Sequence, residues 1–309
     1  MNLLKCYDDF IREKRAYCSA DTVRYYELNL GEFFLGWLAD REGFGGVSGL
    51  SSVESGVFCK SLFYDYLLHL REKEVKNVSV RTYFRSVKSF CGWLYDNEYI
   101  DRNYCKRMKM PGNDAAVKVP LSVAEVRRID ESIGFSGRLG VRNYCIVHLM
   151  LDCGLRLGEV CGLRVGEVDF ENGYLNFIGK GSKRRIVPCP GFLLAWIRCY
   201  LDDFRRSSSD FLFLDVKKAP ITKNAVKVFV GRLKKSSGVS RVHCHLLRHT
   251  FATSYIIGGG NLEYLRMLLG HSDIMITQKY LHCSSQVAFI NMDIYELDGC
   301  FFRNIGYRR

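Results

Sequence analysis

The punctuation between His245 and Tyr280 constrains this chain more than any other feature. Gly258-Gly-Gly260 stops one run, Asn261 opens the next, Gly270 stops it, and Ser272 or Asp273 opens a third. Glycine stops a helix because it enters the left-handed conformation without a steric penalty. Asn, Ser and Asp start one because their side chains accept from the first, otherwise unpaired amides. The spacing predicts three short consecutive helices that carry His245, Arg248, His271 and Tyr280 into one neighbourhood.

The rest of the chain predicts a mainly α protein with a small antiparallel β-sheet. Ser19-Ala-Asp-Thr22 is a helix start, and Tyr26, Leu30, Phe33, Phe34, Trp37 and Leu38 follow helical spacing after it. Gly43 to Gly56 reads as a Gly/Ser loop. A second helix is predicted over about Val78 to Tyr95. Tyr83, Phe84, Val87 and Phe90 lie on its apolar stripe, and Arg81, Arg85 and Lys88 at i, i+4 and i+7 line the other side. The helical pattern breaks from Arg102 to Pro120, where Pro111-Gly112 and a basic run mark an exposed linker. Ser122-Val-Ala-Glu125 is then a capping box that opens a second domain. Asn172-Gly173 is a hairpin turn between Val168-Asp-Phe and Tyr174–Ile178, and Gly179-Lys-Gly-Ser-Lys turns into Ile186-Val-Pro188. The expected organisation is a helical domain over 1–104, a basic linker over 105–120 and a second domain over 121–309, with a separate tail from about 284.

At 309 residues the chain is long enough for about two domains with their own cores. No stretch has the run of apolar residues that a membrane span needs, and the N-terminus lacks the pattern of a secretory signal, so a cytoplasmic, nucleoid-associated protein is expected with no membrane partner. Thirteen cysteines with no Cys-x-x-Cys pair suggest neither a zinc site nor a redox motif. The net charge of +12 is unevenly spread. Residues 1–100 carry 13 Lys+Arg against 14 Asp+Glu, residues 101–250 carry 27 against 14, and residues 251–309 carry five of each. A basic field concentrated in this way is the usual footprint of a phosphate-backbone partner.

Two histidines, an arginine and a tyrosine are a workable set for cutting a phosphodiester with a tyrosine nucleophile and no metal. Arg156, in Cys-Gly-Leu-Arg-Leu-Gly-Glu, and Lys180, in Gly-Lys-Gly-Ser-Lys-Arg-Arg, would complete it. His245-x-x-Arg248 alone says little; order and context add to it, since His271 follows Arg248 by 23 residues and Tyr280 follows His271 by nine. Leu-Leu-Arg-His-Thr-Phe-Ala-Thr, Leu-Leu-Gly-His-Ser and Thr-Gln-Lys-Tyr-Leu-His resemble, in type and spacing, the C-terminal box of the tyrosine recombinases, the family of Xer proteins and phage integrases. The segment around Arg156 resembles that family's first arginine box, and the 24 residues from Arg156 to Lys180 suit its hairpin lysine. The first hundred residues resemble its helical core-binding domain more loosely. No departure is found among the six expected catalytic positions.

The resemblance implies a DNA strand transferase that needs no cofactor, metal or ATP. Arg156 and Arg248 would hold the nonbridging phosphate oxygens, and His271 would add a donor to them. Tyr280 would attack and end as a 3′-phosphotyrosine, with His245 as the candidate base. Lys180 would protonate the leaving 5′-oxygen, with Lys183 in the same turn as the alternative. Arg81, Arg85, Lys88, Lys106, Arg107, Lys109, Lys183 and Arg184 are the candidate DNA contacts. His249 is expected to face the core, and His282 matches a family histidine. Tyr255 and Tyr264 are expected to be packing residues, and Asp152 and Glu159 are candidates to support the site, Glu159 by holding Arg156 or capping its own helix. Gly173-x5-Gly179-Lys180-Gly181 fails as a P-loop on spacing and on the missing Ser or Thr. The tail, with Val287, Phe289, Ile290, Ile294, Leu297, Phe301 and Phe302, would dock on a neighbouring subunit.

The partners implied are double-stranded DNA with paired recombination sites and further copies of the chain, as a homotetramer or one shared with a paralogous recombinase. A type IB topoisomerase-like enzyme and a DNA-binding relative whose catalysis has decayed are the competing classes. Integration, inversion and dimer resolution would all use the same chemistry.

Overall fold

The computed structural model describes residues 2–112, 119–134, 137–178, 184–271 and 273–288, and divides into two compact units, Met1–Ala116 and Val117–Arg309. The first unit holds α1 (Leu3–Tyr17), α2 (Ala20–Tyr26), α3 (Gly36–Arg41), α4 (Lys60–Glu72) and α5 (Asn77–Asp96). Ser19 is the N-cap residue of α2, as its sequence context predicts, but the run that follows is not uniform. Glu27–Leu35 winds as a π-helix before α3 begins. Within that wider segment Gly31 lies directly on the hydroxyl of Tyr7, where any Cβ would overlap it. The Gly/Ser-rich stretch holds two short 3₁₀ turns, Val47–Ser52 and Ser55–Val57. Phe10, Phe34, Phe58, Phe63, Tyr66, Phe84 and Phe90 are almost completely buried and form an aromatic core. Side chains of this size each contribute about 1.5–3 kcal/mol on burial.

The stretch read from sequence as an exposed linker starts inside this core. Cys105 and Met108 are buried in it, and α5 holds the following backbone with its own cations. Arg81 donates to the carbonyl of Pro111 at 2.8 Å and Lys88 to that of Met108 at 3.1 Å. Of the three cations in that row, Arg85 is the exposed one. The basic composition of residues 102–110 concealed two apolar anchors spaced three apart, which a turn closed by the Met108 amide on the Cys105 carbonyl at 3.3 Å brings into the same core.

The second unit holds α6 (Val123–Ile133), α7 (Gly137–Leu151), α8 (Leu157–Gly162), α9 (Gly191–Cys199), α10 (Lys223–Ser236), α11 (Cys244–Ile257), α12 (Leu262–Leu269) and α13 (Ile274–Ala288). The Ser122–Glu125 capping box forms in both directions: Ser122 Oγ accepts from the Glu125 amide, and Glu125 accepts from the Ser122 amide. β1 (Val168–Asp169), β2 (Tyr174–Ile178) and β3 (Arg184–Pro188) make an antiparallel sheet in the order β1-β2-β3. Asp169 closes the first turn by accepting from the amides of Glu171 and Asn172, and Gly173 supplies the required positive φ of 76°. Leu175, Phe177 and Val187 face inward while Ile186 is exposed, the period-two alternation of a sheet with one covered face.

α7 runs through the centre of this unit, and His148 on it is clasped by two carboxylates. Its Nδ1 lies 2.6 Å from Asp152 and its Nε2 lies 3.0 Å from Asp130 on α6. Asp152, expected as a support of the site, therefore serves a helix clasp instead. Lys180, Lys183, the helix start at Ser272 and tail residues 289–309 lie outside the described residues, as do the side chains of Arg184 and His282. Among the described residues no helix is long and apolar enough to cross a membrane.

Candidate active site

The three predicted helices form, and their caps act as the sequence requires. Asn261 accepts from the amides of Glu263 and Tyr264, Gly270 ends α12 at φ 61°, and Asp273 accepts from the Met275 amide at the start of α13. On α11, His245, Arg248 and His249 fall at i, i+3 and i+4 and share one face. That face and one face of α13, with Ile276 and Tyr280, border a cavity of about 600 Å³ that Arg156, Arg241, His243 and His271 also line. Five of the six predicted catalytic residues thus meet at one cavity, and the sixth, Lys180, lies outside the described residues.

Arg248 is the most constrained of them. Its side chain is 4% exposed. Nη1 donates to the Gly154 carbonyl at 2.6 Å, and Nη2 donates to the Leu269 carbonyl at 2.7 Å. Burial, reinforced by Arg156, pulls its pKa down to about 10, which still leaves it charged at neutral pH. Nη2 also lies 3.2 Å from Nε2 of His271. A guanidinium only donates, so His271 Nε2 is the acceptor and its proton sits on Nδ1, which bonds the buried Thr277 hydroxyl at 2.9 Å. Burial lowers the pKa of His271, and Arg248, Arg156 and Arg185 lower it further, to about 4. In the DNA-free protein His271 is neutral.

Glu159 joins the arginines. It accepts from the Arg156 amide at 2.7 Å and from Arg156 Nη1 at 2.9 Å, and both of its oxygens accept from Arg185. Burial would raise its carboxyl pKa, but Arg185 and Arg156 outweigh that and hold it below the usual carboxylate value. Glu159 both caps α8 and holds Arg156, the two roles expected of it. Arg156 remains 41% exposed on the cavity side, and its Nη2 reaches the Gly270 carbonyl at 3.1 Å.

Tyr280 sits between two imidazoles. The His249 ring lies 5.3 Å from it, and the His271 ring lies 6.4 Å away, parallel to within 6°. The aromatic body of Tyr280 packs on the small cluster of Phe251, Ala252, Tyr255, Leu265 and Leu269. Tyr255 is a packing residue as expected; Tyr264 is instead 56% exposed. The expectation that His249 faces the core is overturned: its spacing of four from His245 was the signal that it shares the cavity face. Arg185 was missed because it is the third cation of the run Lys183-Arg-Arg, where a solvated surface is the ordinary reading. Arg241, which grips Glu125 and the carbonyls of Val119 and Pro120, carried no sequence signal.

The arrangement sets the guanidinium groups of Arg156 and Arg248 and the imidazole of His271 at one cavity with Tyr280, a donor set suited to a phosphate next to a tyrosine. The pattern of the phage integrase family matches residues 121–286, over half of the chain. The chain belongs to the phage integrase family, among the tyrosine recombinases of Xer type. The tyrosine recombinase XerC of Oceanobacillus iheyensis is 29% identical to it over 295 residues, 91% of this chain and 93% of that protein. That of Bacillus pumilus is 30% identical over 234 residues, 72% of this chain and 77% of that one. In fold, this family member resembles the Tn1549 transposon integrase solved with circular intermediate DNA, with a TM-score of 0.70 at 22% identity over 91% of this chain and 95% of the other.

Proposed function

We propose that this tyrosine-type site-specific recombinase cleaves and rejoins double-stranded DNA with Tyr280 as nucleophile. The tyrosine oxygen attacks the phosphorus, the bond to the 5′-oxygen breaks, and a 3′-phosphotyrosine remains. That ester retains the energy of the phosphodiester, so a 5′-hydroxyl from a second strand can displace the tyrosine without ATP. Arg156 and Arg248 bind the nonbridging oxygens, where negative charge grows in the transition state. His245, on the cavity face of α11, takes the phenolic proton, since an unperturbed phenol gives its proton up only near pH 10. Lys180, or Lys183 in the same turn, returns a proton to the leaving oxygen.

The observation that carries this reading is the bond between Arg248 and His271 beside Tyr280. A phosphate entering the cavity draws Arg248 toward itself and adds negative charge next to His271. Both changes favour protonation of Nε2, which turns that nitrogen from an acceptor into a donor to the phosphate. The basic excess of residues 101–250 supplies the field that holds the DNA backbone. Paired exchange calls for a tetramer on two sites with a Holliday-junction intermediate, its subunits linked through the tail beyond about residue 284.

The test is to express the chain in its own host, lyse under denaturing conditions and sequence the DNA that stays attached to it, with Tyr280→Phe as control. A tyrosine-dependent adduct at one recurring sequence is expected. Adducts scattered without sequence preference point instead to a topoisomerase-like enzyme, and none above the control leaves a DNA-binding relative.

A further inference from the structure

Arg185 is buried in β3 beneath the cavity, and it does not line it. Its side chain is 10% exposed, and its guanidinium lies 5.0 Å from the ring of Phe177, the residue paired with it on β2. From there Nη1 and Nη2 donate to the two oxygens of Glu159 at 2.9 and 3.1 Å, and Nη1 also donates to the Leu269 carbonyl at 3.1 Å. Leu269 and Gly270 end α12 immediately before His271. Their carbonyls take one bond each from Arg248 and Arg156 as well. One strand residue therefore ties together the carboxylate and the helix end on which Arg156 and Arg248 rest. Among the described residues its buried Nε has no hydrogen-bond partner, so the position carries a desolvation penalty that packing alone does not require.

We propose that Arg185 is a positioning residue for strand cleavage, acting as the permanent counter-ion of Glu159; the proposal rests on the Tyr280 reading above. Glu159 touches Arg156 and lies 3.7 Å from Arg248. Among the described residues, these two would be its only cationic partners without Arg185. Moving either toward a phosphate would then leave a part-buried carboxylate uncompensated, which is expensive. With Arg185 holding both carboxylate oxygens, Arg156 and Arg248 are able to turn to the phosphate while Glu159 stays paired. The same guanidinium fixes the height of the Gly270 turn, and so of His271, against the sheet. Lysine cannot replace it fully, because an ammonium lacks the planar fork that spans both oxygens.

The experiment uses the full chain and a duplex of the sequence recovered with the Tyr280 adduct. Wild type, Arg185→Met, Arg185→Lys and the double variant Arg185→Met with Glu159→Gln are compared for duplex affinity, single-turnover adduct rate and thermal unfolding. Arg185→Met is expected to bind within about threefold of wild type, since no phosphate contact is removed. Its adduct rate is expected to fall about 100-fold through misplacement of the phosphate-holding groups. Neutralising Glu159 in that background restores about tenfold of the rate, a coupling that lost packing would not produce. Arg185→Lys falls between wild type and Arg185→Met. An unchanged rate in folded Arg185→Met, or no recovery in the double variant, overturns the proposal and leaves Tyr280 chemistry standing. If Arg185→Met fails to fold, the same comparison is made with Arg185→Lys with and without Glu159→Gln, where the same absence of recovery overturns it. A wild-type protein that yields no Tyr280-dependent adduct removes the recombinase reading and this proposal together.

Discussion

Gly154 and Phe251 meet with no room for a side chain between them. A Cβ on Gly154 would stand 2.6 Å from Cε1 of the Phe251 ring and closer still to Cδ1, and the glycine holds φ at 65°. This close approach lets α11 lie against the 152–156 turn, and that contact delivers the Gly154 carbonyl to Arg248 at 2.6 Å. Gly154→Ala adds a steric overlap to the backbone strain, whereas Gly173→Ala, at φ 76° with open space around it, adds the strain alone. Gly173→Ala is expected to cost about 1 kcal/mol and Gly154→Ala about 3 kcal/mol or more, read from urea midpoints. Equal losses would show that α11 shifts freely away from the turn.

His148 and His271 give the protein opposite pH limbs. Burial would lower the pKa of His148, but Asp152 and Asp130 outweigh it and raise it to about 9. The folded state binds the proton more tightly than the unfolded state, where histidine titrates near 6.5. The stabilisation is therefore complete below about pH 6.5 and lost as the pH rises through about 9. Thermal midpoints should fall over that window in wild type, and His148→Gln should flatten the fall.

For His271 the sign is reversed. Its pKa of about 4 lies below the unfolded value, so the unfolded chain binds more protons between the two, and stability is lost as the pH drops from about 6.5 toward 4. Replacing Arg248 by Met removes the cation bonded to the imidazole at 3.2 Å. The imidazole titration of His271, followed by NMR, should then move upward. A titration left at the wild-type position would show that burial alone sets it.

The two kinds of cation on α5 should separate in a DNA-binding assay. Arg85 is exposed and available to a phosphate, while Arg81 holds the Pro111 carbonyl. Arg85→Ala is expected to reduce the slope of log affinity against log salt by about one. Arg81→Ala is expected to leave that slope nearly unchanged and to speed proteolysis between residues 102 and 112. A salt slope changed equally by both would place both on the DNA.

Local chemistry was legible in the chain because its rules act over a few residues. The stop at Gly270, the cap at Asn261, the Ser122–Glu125 box and the Asn172-Gly173 turn all follow from groups within four positions of one another. The same short-range periodicity put His245 and Arg248 on one face of α11, and the order of the motifs pointed to Arg156, His271 and Tyr280. Tertiary structure alone decided which cations are spent inside the protein and which face the cavity. Arg185 meets Glu159 across 26 residues of chain and Leu269 across 84, and Arg156 meets Gly270 across 114. Asp152 was drawn to His148, His249 came to rest on Tyr280, and Arg81 and Lys88 turned to the backbone after α5. A charged side chain reads the same in sequence whether it ends in water, on a carboxylate or on a carbonyl. Its partner is fixed by the packing of elements far apart in the chain, since a buried charge must be paired wherever that packing puts it.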